Sequence, residues 1–156
     1  MAAPAETSGN AGALSPLLCF DLYAASRSIT AVYRTLLEPL GLTYPQYLVL
    51  VLLWQREQST VRELGDALRL DYNTVSPLLK RLEARGLISR QRRPDDERTV
   101  EIALTAGGRA LREETRHIPA AITEATGLDG EAVIELQRVL RHVTASATAY
   151  AATMAH

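Results

Sequence analysis

Two consecutive stretches decide the reading of this chain: Thr60-Val-Arg-Glu-Leu-Gly-Asp-Ala-Leu-Arg-Leu70 and Asp71-Tyr-Asn-Thr-Val-Ser-Pro-Leu-Leu-Lys-Arg-Leu-Glu-Ala-Arg-Gly-Leu87. Thr60 and Glu63 have the spacing of a capping box, in which each side chain satisfies the other's free backbone N–H, so a helix starts here. Val61, Leu64 and Leu68 give it an apolar face, and it closes near Leu70. Asp71 caps a second helix, whose Val75, Leu78, Leu79 and Leu82 share one buried face. Pro77 removes a backbone hydrogen bond, best tolerated near a helix start, and Gly86 is the stop. Two helices with a tight turn between them predict a helix-turn-helix.

The exposed face of the second helix carries Tyr72, Asn73, Thr74, Ser76, Lys80 and Arg81. Small polar residues early and cations late suit a helix laid into the major groove of DNA. The same residues also suit a solvated face or a protein-interaction module. The segment after Gly86 favours DNA. Ile88 to Arg93 alternates, with Arg90 and Arg92 on one side, and Val100, Ile102 and Leu104 alternate again. Between them Pro94-Asp-Asp-Glu-Arg98 forms a charged turn, so a β-hairpin wing is attached to the helix pair. Residues 80–93 contain six Lys or Arg against one acid, while the whole chain carries a net charge of −1. A local basic patch on an acidic remainder is the footprint of phosphate contact.

Leu78-Leu-Lys-Arg-Leu-Glu-Ala-Arg-Gly-Leu-Ile-Ser-Arg90 followed by Asp95-Asp-Glu-Arg98 resembles the MarR family of winged-helix transcription regulators, over the chain from about Leu17 onward. The resemblance implies that the helix from Asp71 enters the major groove and that Arg98, at the wing tip, reaches an adjacent minor groove. It also implies that Asp96 braces the wing. Arg92 and Arg93 complete the expected DNA-contacting set.

The rest of the chain is consistent with one globular unit of 156 residues, with 47% hydrophobic content. Residues 1–13 are mostly small, with no basic start and no apolar run, which predicts a disordered tail rather than a secretory signal. No apolar run has membrane-spanning length, and a single cysteine fits a reducing, cytoplasmic setting. The three histidines share no metal-binding motif and there is no Gly-rich phosphate loop, so no metal or cofactor is expected.

Leu18, Leu22, Ala25, Ile29, Val32 and Leu36 draw an apolar stripe along a helix from about Leu14 to Leu37. Thr43 caps a helix, Tyr44 to Gln55, that is apolar nearly all round and should be the buried spine. Thr105 opens a helix that Pro119 kinks or shifts. Asp129 caps a last one with a heptad-like seam: Val133, Leu136, Leu140, Val143, Ala147 and Tyr150. The expected architecture is therefore mainly α with a small β-hairpin wing. The winged helix-turn-helix covers about 43–104, and dimerisation arms come from both ends, about 14–38 and 105–152, within a single domain from 14 to 156. The two seams would meet in a twofold dimer reading a pseudo-palindromic double-stranded DNA site, unless they fold back on their own domain.

Cys19 lies on the first helix, and four of six tyrosines fall within the first 47 residues. A lone helical cysteine is most often a small buried hydrophobe. Tyrosine hydroxyls, however, donate hydrogen bonds that favour a thiolate, the species that attacks a peroxide. Tyr23 is one turn from Cys19 on the same face. Tyr33 is fourteen residues away, about 21 Å along one helix, at nearly the same azimuth. It cannot touch the Cys19 of its own helix but could meet the partner's across an antiparallel dimer, which predicts a composite site. The other use for these tyrosines is ordinary amphipathic packing against the core edge. Asp21 should point away, about 200° around the helix.

Leu18-Cys-Phe-Asp-Leu-Tyr-Ala-Ala-Ser-Arg27, Tyr33 and Leu42-Thr-Tyr-Pro-Gln-Tyr-Leu48 look like the organic-hydroperoxide sensors of that family. The resemblance implies that Cys19 reacts with the peroxide, that Tyr33 and Tyr44 hydrogen-bond it from the other subunit with Tyr23 nearby, and that DNA is released on oxidation. With no second cysteine in the chain, a sulfenic acid at Cys19 would react with a low-molecular-weight thiol, a backbone nitrogen or more peroxide. Three other readings stay open: release by a small aromatic or lipophilic ligand, a thiol peroxidase, and a winged helix used only for protein contact.

Overall fold

The computed structural model describes residues 14, 16–93 and 96–155, without the side chains of Arg93 and Glu97. The expected tail at 1–13 and the hairpin tip at 94–95 lie outside the described residues.

Helix α1, Leu18–Leu37, begins at the first residue of its apolar stripe, four residues after the expected start near Leu14. Leu17 is extended (φ −94°, ψ 102°), and its N–H closes a turn onto the Leu14 carbonyl at 2.9 Å instead. A 3-10 turn over Glu38–Leu40 and Gly41 at φ +62° bend the chain by 75° before the next helix. Helix α2, Tyr44–Arg56, begins with the Thr43–Gln46 capping box and buries Tyr47, Val49, Leu50 and Leu53. It is the spine that its composition predicts.

The helix-turn-helix comes next as α3, Val61–Leu68, and α4, Tyr72–Ala84. The Thr60 hydroxyl accepts from the Glu63 N–H and the Asp71 carboxylate from the Thr74 N–H. Between them Arg69 is left-handed (φ 56°), and Leu70 N–H donates to the Gly65 carbonyl at 2.9 Å. A Cβ on Gly65 would sit 2.9 Å from the Leu70 carbonyl oxygen, so this tight turn requires glycine. Helix α4 ends in a Schellman arrangement: Gly86 (φ +69°) donates to Glu83 and Leu87 to Leu82. Pro77 lies inside α4, on the side away from the buried Val75, Leu79 and Leu82.

Strand β1, Gln58–Thr60, was not expected; it pairs antiparallel with β3, Asp96–Leu104, which pairs in turn with β2, Ile88–Arg93. The order is β1-β3-β2, with a register shift between Arg92 and Arg93. β3 already runs from Asp96, where the sequence suggested turn residues up to Arg98. Pro119 splits the predicted post-wing helix into α5, Ala106–Glu114, and α6, Ile118–Ala125, because a proline placed in the first turn of α6 has no N–H to continue α5. Helix α7, Gly130–Met154, is capped by Asp129 and ends the described chain.

The core joins α2, α3, α4, the wing and the α5–α6 break, around Leu50, Leu53, Leu64, Leu79, Leu82, Ile102 and Ile118. Helix α1 lies on α2 and α6, with only Leu37 fully buried. Helix α7 buries no residue. It touches its own domain through the Arg69 guanidinium, which donates to the Thr148 hydroxyl at 3.4 Å, and the seam residues Val133 and Val143 are half-buried.

Candidate DNA interface and redox site

Burial of Val75, Leu79 and Leu82 turns the opposite side of α4 to solvent. Tyr72, Asn73, Thr74, Lys80 and Arg81 are exposed there and Ser76 is partly so. Arg92 is exposed on β2, and Arg93 continues the same strand. At the wing, Asp96 accepts from the Arg98 N–H at 3.1 Å and from the Thr99 hydroxyl at 2.6 Å. Those two bonds shape the backbone that presents the exposed Arg98 side chain. Between α3, the start of α4 and the wing lies a cleft of about 690 Å³, lined in part by Arg62, Gly65, Asp71, Tyr72 and Arg98. Of the exposed α4 residues, Tyr72 lines this cleft together with Arg98 of the wing.

One member of the basic stretch is engaged elsewhere. Arg85 donates to the carbonyls of Gly41 at 2.6 Å and Leu40 at 2.8 Å, so it ties the end of α4 to the α1–α2 turn.

Cys19 is exposed in the first turn of α1. Tyr23, one turn on, is also exposed, and the Arg27 guanidinium both donates to its hydroxyl at 3.2 Å and lies 5.5 Å from its ring centre. Sequence reasoning missed Arg27, although its i+4 spacing from Tyr23 was the available signal.

The other two tyrosines form a second group. The Tyr33 and Tyr44 ring centres are 4.2 Å apart, and Tyr33 lies 5.9 Å from Tyr47. Burial, helped by Tyr44 and Tyr47, pushes the Tyr33 hydroxyl up to about 12, and burial also raises Tyr44 and Tyr47. These hydroxyls therefore stay protonated donors at any physiological pH. Because α1 is unbroken from Leu18 to Leu37, Tyr33 is about 21 Å along it from the Cys19 of its own chain. The fold brings Tyr33 to Tyr44 but not to its own Cys19.

Tyr47 continues the aromatic group to Trp54, 6.1 Å away and edge-on, whose indole N–H donates to the Gly108 carbonyl at 2.8 Å. A shallow cleft of about 300 Å³ opens beside this pair, with Arg112 and Arg116 among its lining.

Helix α7 exposes Ile134, Leu136, Val139, Leu140, Tyr150 and Met154 along its length. Among the described residues no single helix is long and apolar enough to cross a membrane, and no three His, Cys, Asp or Glu residues gather as metal ligands.

A family model for the transcriptional regulators SarA/Rot matches residues 31–115. The organic hydroperoxide resistance transcriptional regulator of Bacillus subtilis is 47% identical over 123 residues, covering 79% of this chain and 84% of the relative. Reduced AbfR of Staphylococcus epidermidis, solved bound to DNA, is 37% identical with a TM-score of 0.67, covering 85% of this chain and 96% of that one. BpsR of Bordetella bronchiseptica, whose DNA binding is regulated by 6-hydroxynicotinic acid, is 29% identical with a TM-score of 0.75, over 81% and 98% of the two chains. These relatives are transcriptional regulators rather than enzymes. With its wing, its helix-turn-helix and its single cysteine at position 19, the chain belongs to the MarR family of winged-helix transcription regulators, in the one-cysteine group of the organic-hydroperoxide branch.

Proposed function

We propose that this protein is a dimeric repressor that holds a pseudo-palindromic operator when reduced and releases it when an organic hydroperoxide oxidises Cys19. The observation that carries the reading is the separation of Cys19 from a tyrosine pair already assembled at 4.2 Å. Two half-sites on one rigid helix, about 21 Å apart, become one site when two α1 helices run antiparallel. The exposed apolar face of α7 supplies the surface for such a twofold pairing.

In the proposed chemistry the Cys19 thiolate attacks a peroxide oxygen. An S–O bond forms, the O–O bond breaks, and the alkoxide leaves to take up a proton as the alcohol. The hydroxyls of Tyr33 and Tyr44 from the other subunit, with Tyr23 nearby, donate to the thiolate. A low-molecular-weight thiol then condenses with the sulfenic acid, expelling water and leaving a mixed disulfide. The adduct sits between subunits that space the two α4 helices, so a rigid-body shift there breaks their register on DNA. In this reading Tyr72, Asn73, Thr74, Ser76, Lys80 and Arg81 face the major groove. Arg92 and Arg93 meet phosphates, and Arg98, braced through Asp96, enters the minor groove.

The test is a DNA-release titration of reduced protein with cumene hydroperoxide, Cys19 adducts being followed by intact mass. Release at near-stoichiometric peroxide, absent in Cys19→Ser, is the expected result. Release that persists in Cys19→Ser sinks the mechanism.

A second reading is favoured by the open cleft of about 300 Å³ whose lining brings Tyr47 and Trp54 together with Arg112 and with Arg116, which pairs with Glu113 at 3.1 Å. Aromatic and cationic groups in one lining suit a small aromatic acid. Release by such an acid under strictly reducing conditions would select it.

A further inference from the structure

Helices α2 and α5 meet at a part-buried polar contact. The Trp54 indole N–H donates to the Gly108 carbonyl at 2.8 Å, across 54 residues of sequence. The aromatic group arrives at this bond from one side. Tyr44 and Tyr47 share α2 with Trp54, and ring contacts run from Tyr44 to Tyr33 to Tyr47 to Trp54, each step between 4.2 and 6.1 Å.

From the other side, Gly108 is wedged against the end of the DNA-reading helix. A Cβ at Gly108 would collide with the Leu87 carbonyl oxygen and lie 2.9 Å from Leu104 Cδ2. The Gly108 N–H donates to Thr105 Oγ1 at 3.1 Å. That hydroxyl donates to the Gly86 carbonyl at 2.6 Å, and the Thr105 N–H donates to the Leu87 carbonyl at 3.2 Å. Gly86 and Leu87 are the two residues that terminate α4 through their bonds to Glu83 and Leu82. A displacement of α2 at Trp54 therefore has a directional hydrogen-bonded path to the α4 end, beside the direct packing of α2 on α4 and the Arg85 strut from the α4 end to the Gly41 and Leu40 carbonyls. The Arg109–Glu57 pair at 3.2 Å also links α5 to the end of α2, but both side chains are more than half exposed, so solvent weakens it.

We propose that Trp54 is a positioning residue that passes a shift of the Tyr33–Tyr44 pair to the DNA-reading helix through its bond to Gly108. This rests on the reading in which Cys19 oxidation disturbs that pair. Tyr47, the buried link of the ring chain, is packed into the core, where close packing passes a displacement on, and Tyr33, Tyr44 and Trp54 pack against that core. The bond at its end converts that displacement into a pull on the Thr105–Gly86 cap.

Trp54→Phe keeps a ring and removes the N–H. The expected variant binds DNA when reduced as tightly as the unmodified protein and forms the same Cys19 adduct at the same rate. Its oxidised form loses about fivefold less DNA affinity than oxidised wild type, the scale of one hydrogen bond's coupling. Because Trp54 is the only tryptophan in the chain, its fluorescence provides a second measurement on the unaltered protein. Its emission should change on stoichiometric oxidation and not in Cys19→Ser. Equal loss of DNA affinity in Trp54→Phe and wild type, or unchanged Trp54 emission while wild type leaves DNA, overturns the relay. If wild type shows no Cys19 adduct or no release, the peroxide reading itself has failed.

Discussion

The guanidinium of Arg85, at the end of α4, donates to the carbonyl of Gly41 at 2.6 Å and gives a second N–H to Leu40 at 2.8 Å. It closes the turn between α1 and α2 over the left-handed Gly41. A cation counted by sequence position as part of a phosphate-binding patch is thus a strut. Arg85→Ala should lower stability by about 1–2 kcal/mol, as charge-assisted hydrogen bonds at a surface do. It should leave the salt dependence of DNA binding unchanged. Lys80→Ala should do the reverse: stability within about 0.5 kcal/mol of wild type, and a log–log salt slope shallower by about one per half-site. Thermal melts and operator titrations across salt concentrations separate the two. A reduced slope in Arg85→Ala would return that residue to the interface.

The capping box of α3 carries an acid-stability signature. Glu63 accepts from the Thr60 N–H at 2.7 Å, the Thr60 hydroxyl at 3.0 Å and the Ser59 hydroxyl at 3.1 Å, and these bonds, the Thr60 N–H first, hold its carboxyl below the usual range. A lowered folded-state value favours the charged form. The contribution is therefore present above the ordinary carboxylate pKa and is lost as pH falls through the folded value. Glu63→Gln keeps a backbone acceptor but has no proton to bind, so its urea stability should fall less between pH 5 and pH 3 than wild type's. Thr60→Ala should cost about 1 kcal/mol at neutral pH. Parallel acid slopes for wild type and Glu63→Gln would refute the assignment.

Tyr33 predicts the opposite limb. Its hydroxyl is raised from 10.0 to about 12, chiefly by burial and then by Tyr44 and Tyr47. The neutral form is the one favoured in the fold. Its contribution is complete below pH 10 and is lost as pH rises toward 12. Tyr33→Phe cannot ionise, so its stability should decline less steeply than wild type's over that interval. Denaturant midpoints at pH 9, 10 and 11 provide the check, and superimposable curves would contradict it.

What the sequence made legible was local. Thr60 with Glu63, Asp71 with Thr74, Thr105 with Gly108 and Asp129 with Ala132 cap helices through bonds three residues long, and spacing alone reveals these. The spine Tyr44–Arg56 was legible because its apolar residues run nearly all round. Strand β1 was not: three residues, Gln58-Ser-Thr60, have no alternation to detect, and their partners, Glu101 to Ala103, are distant in the chain. The role of Arg85 and the Trp54–Gly108 bond were hidden for the same reason, since each joins residues at least 44 apart. In the candidate redox site, the residue types and the exclusion of a Cys19–Tyr33 contact within one helix were readable. The 4.2 Å stacking of Tyr33 on Tyr44, set by the turn at Gly41, was not.

Composite sites make a prediction that no single-chain mechanism shares. In homodimers, Tyr33→Phe removes a donor to the thiolate and should slow Cys19 oxidation about tenfold, the effect of one charge-assisted hydrogen bond. Cys19→Ser has no thiol to oxidise. In a mixed dimer of the two variants, the remaining Cys19 belongs to the Tyr33→Phe protomer, while the remaining Tyr33 belongs to the Cys19→Ser protomer. If Cys19 is served by its partner's tyrosines, the mixed dimer contains one complete site and one doubly defective one. Its single thiol should then oxidise at the wild-type rate, up to about tenfold faster than in the Tyr33→Phe homodimer from which that protomer came. If each cysteine depended on its own chain's tyrosine, mixing would change nothing. Tandem affinity tags isolate the mixed species, and intact mass after a short cumene hydroperoxide pulse reads each protomer separately. A slow thiol in the mixed dimer would place Tyr33 outside the partner's site, leaving its stacking on Tyr44 as a packing feature alone.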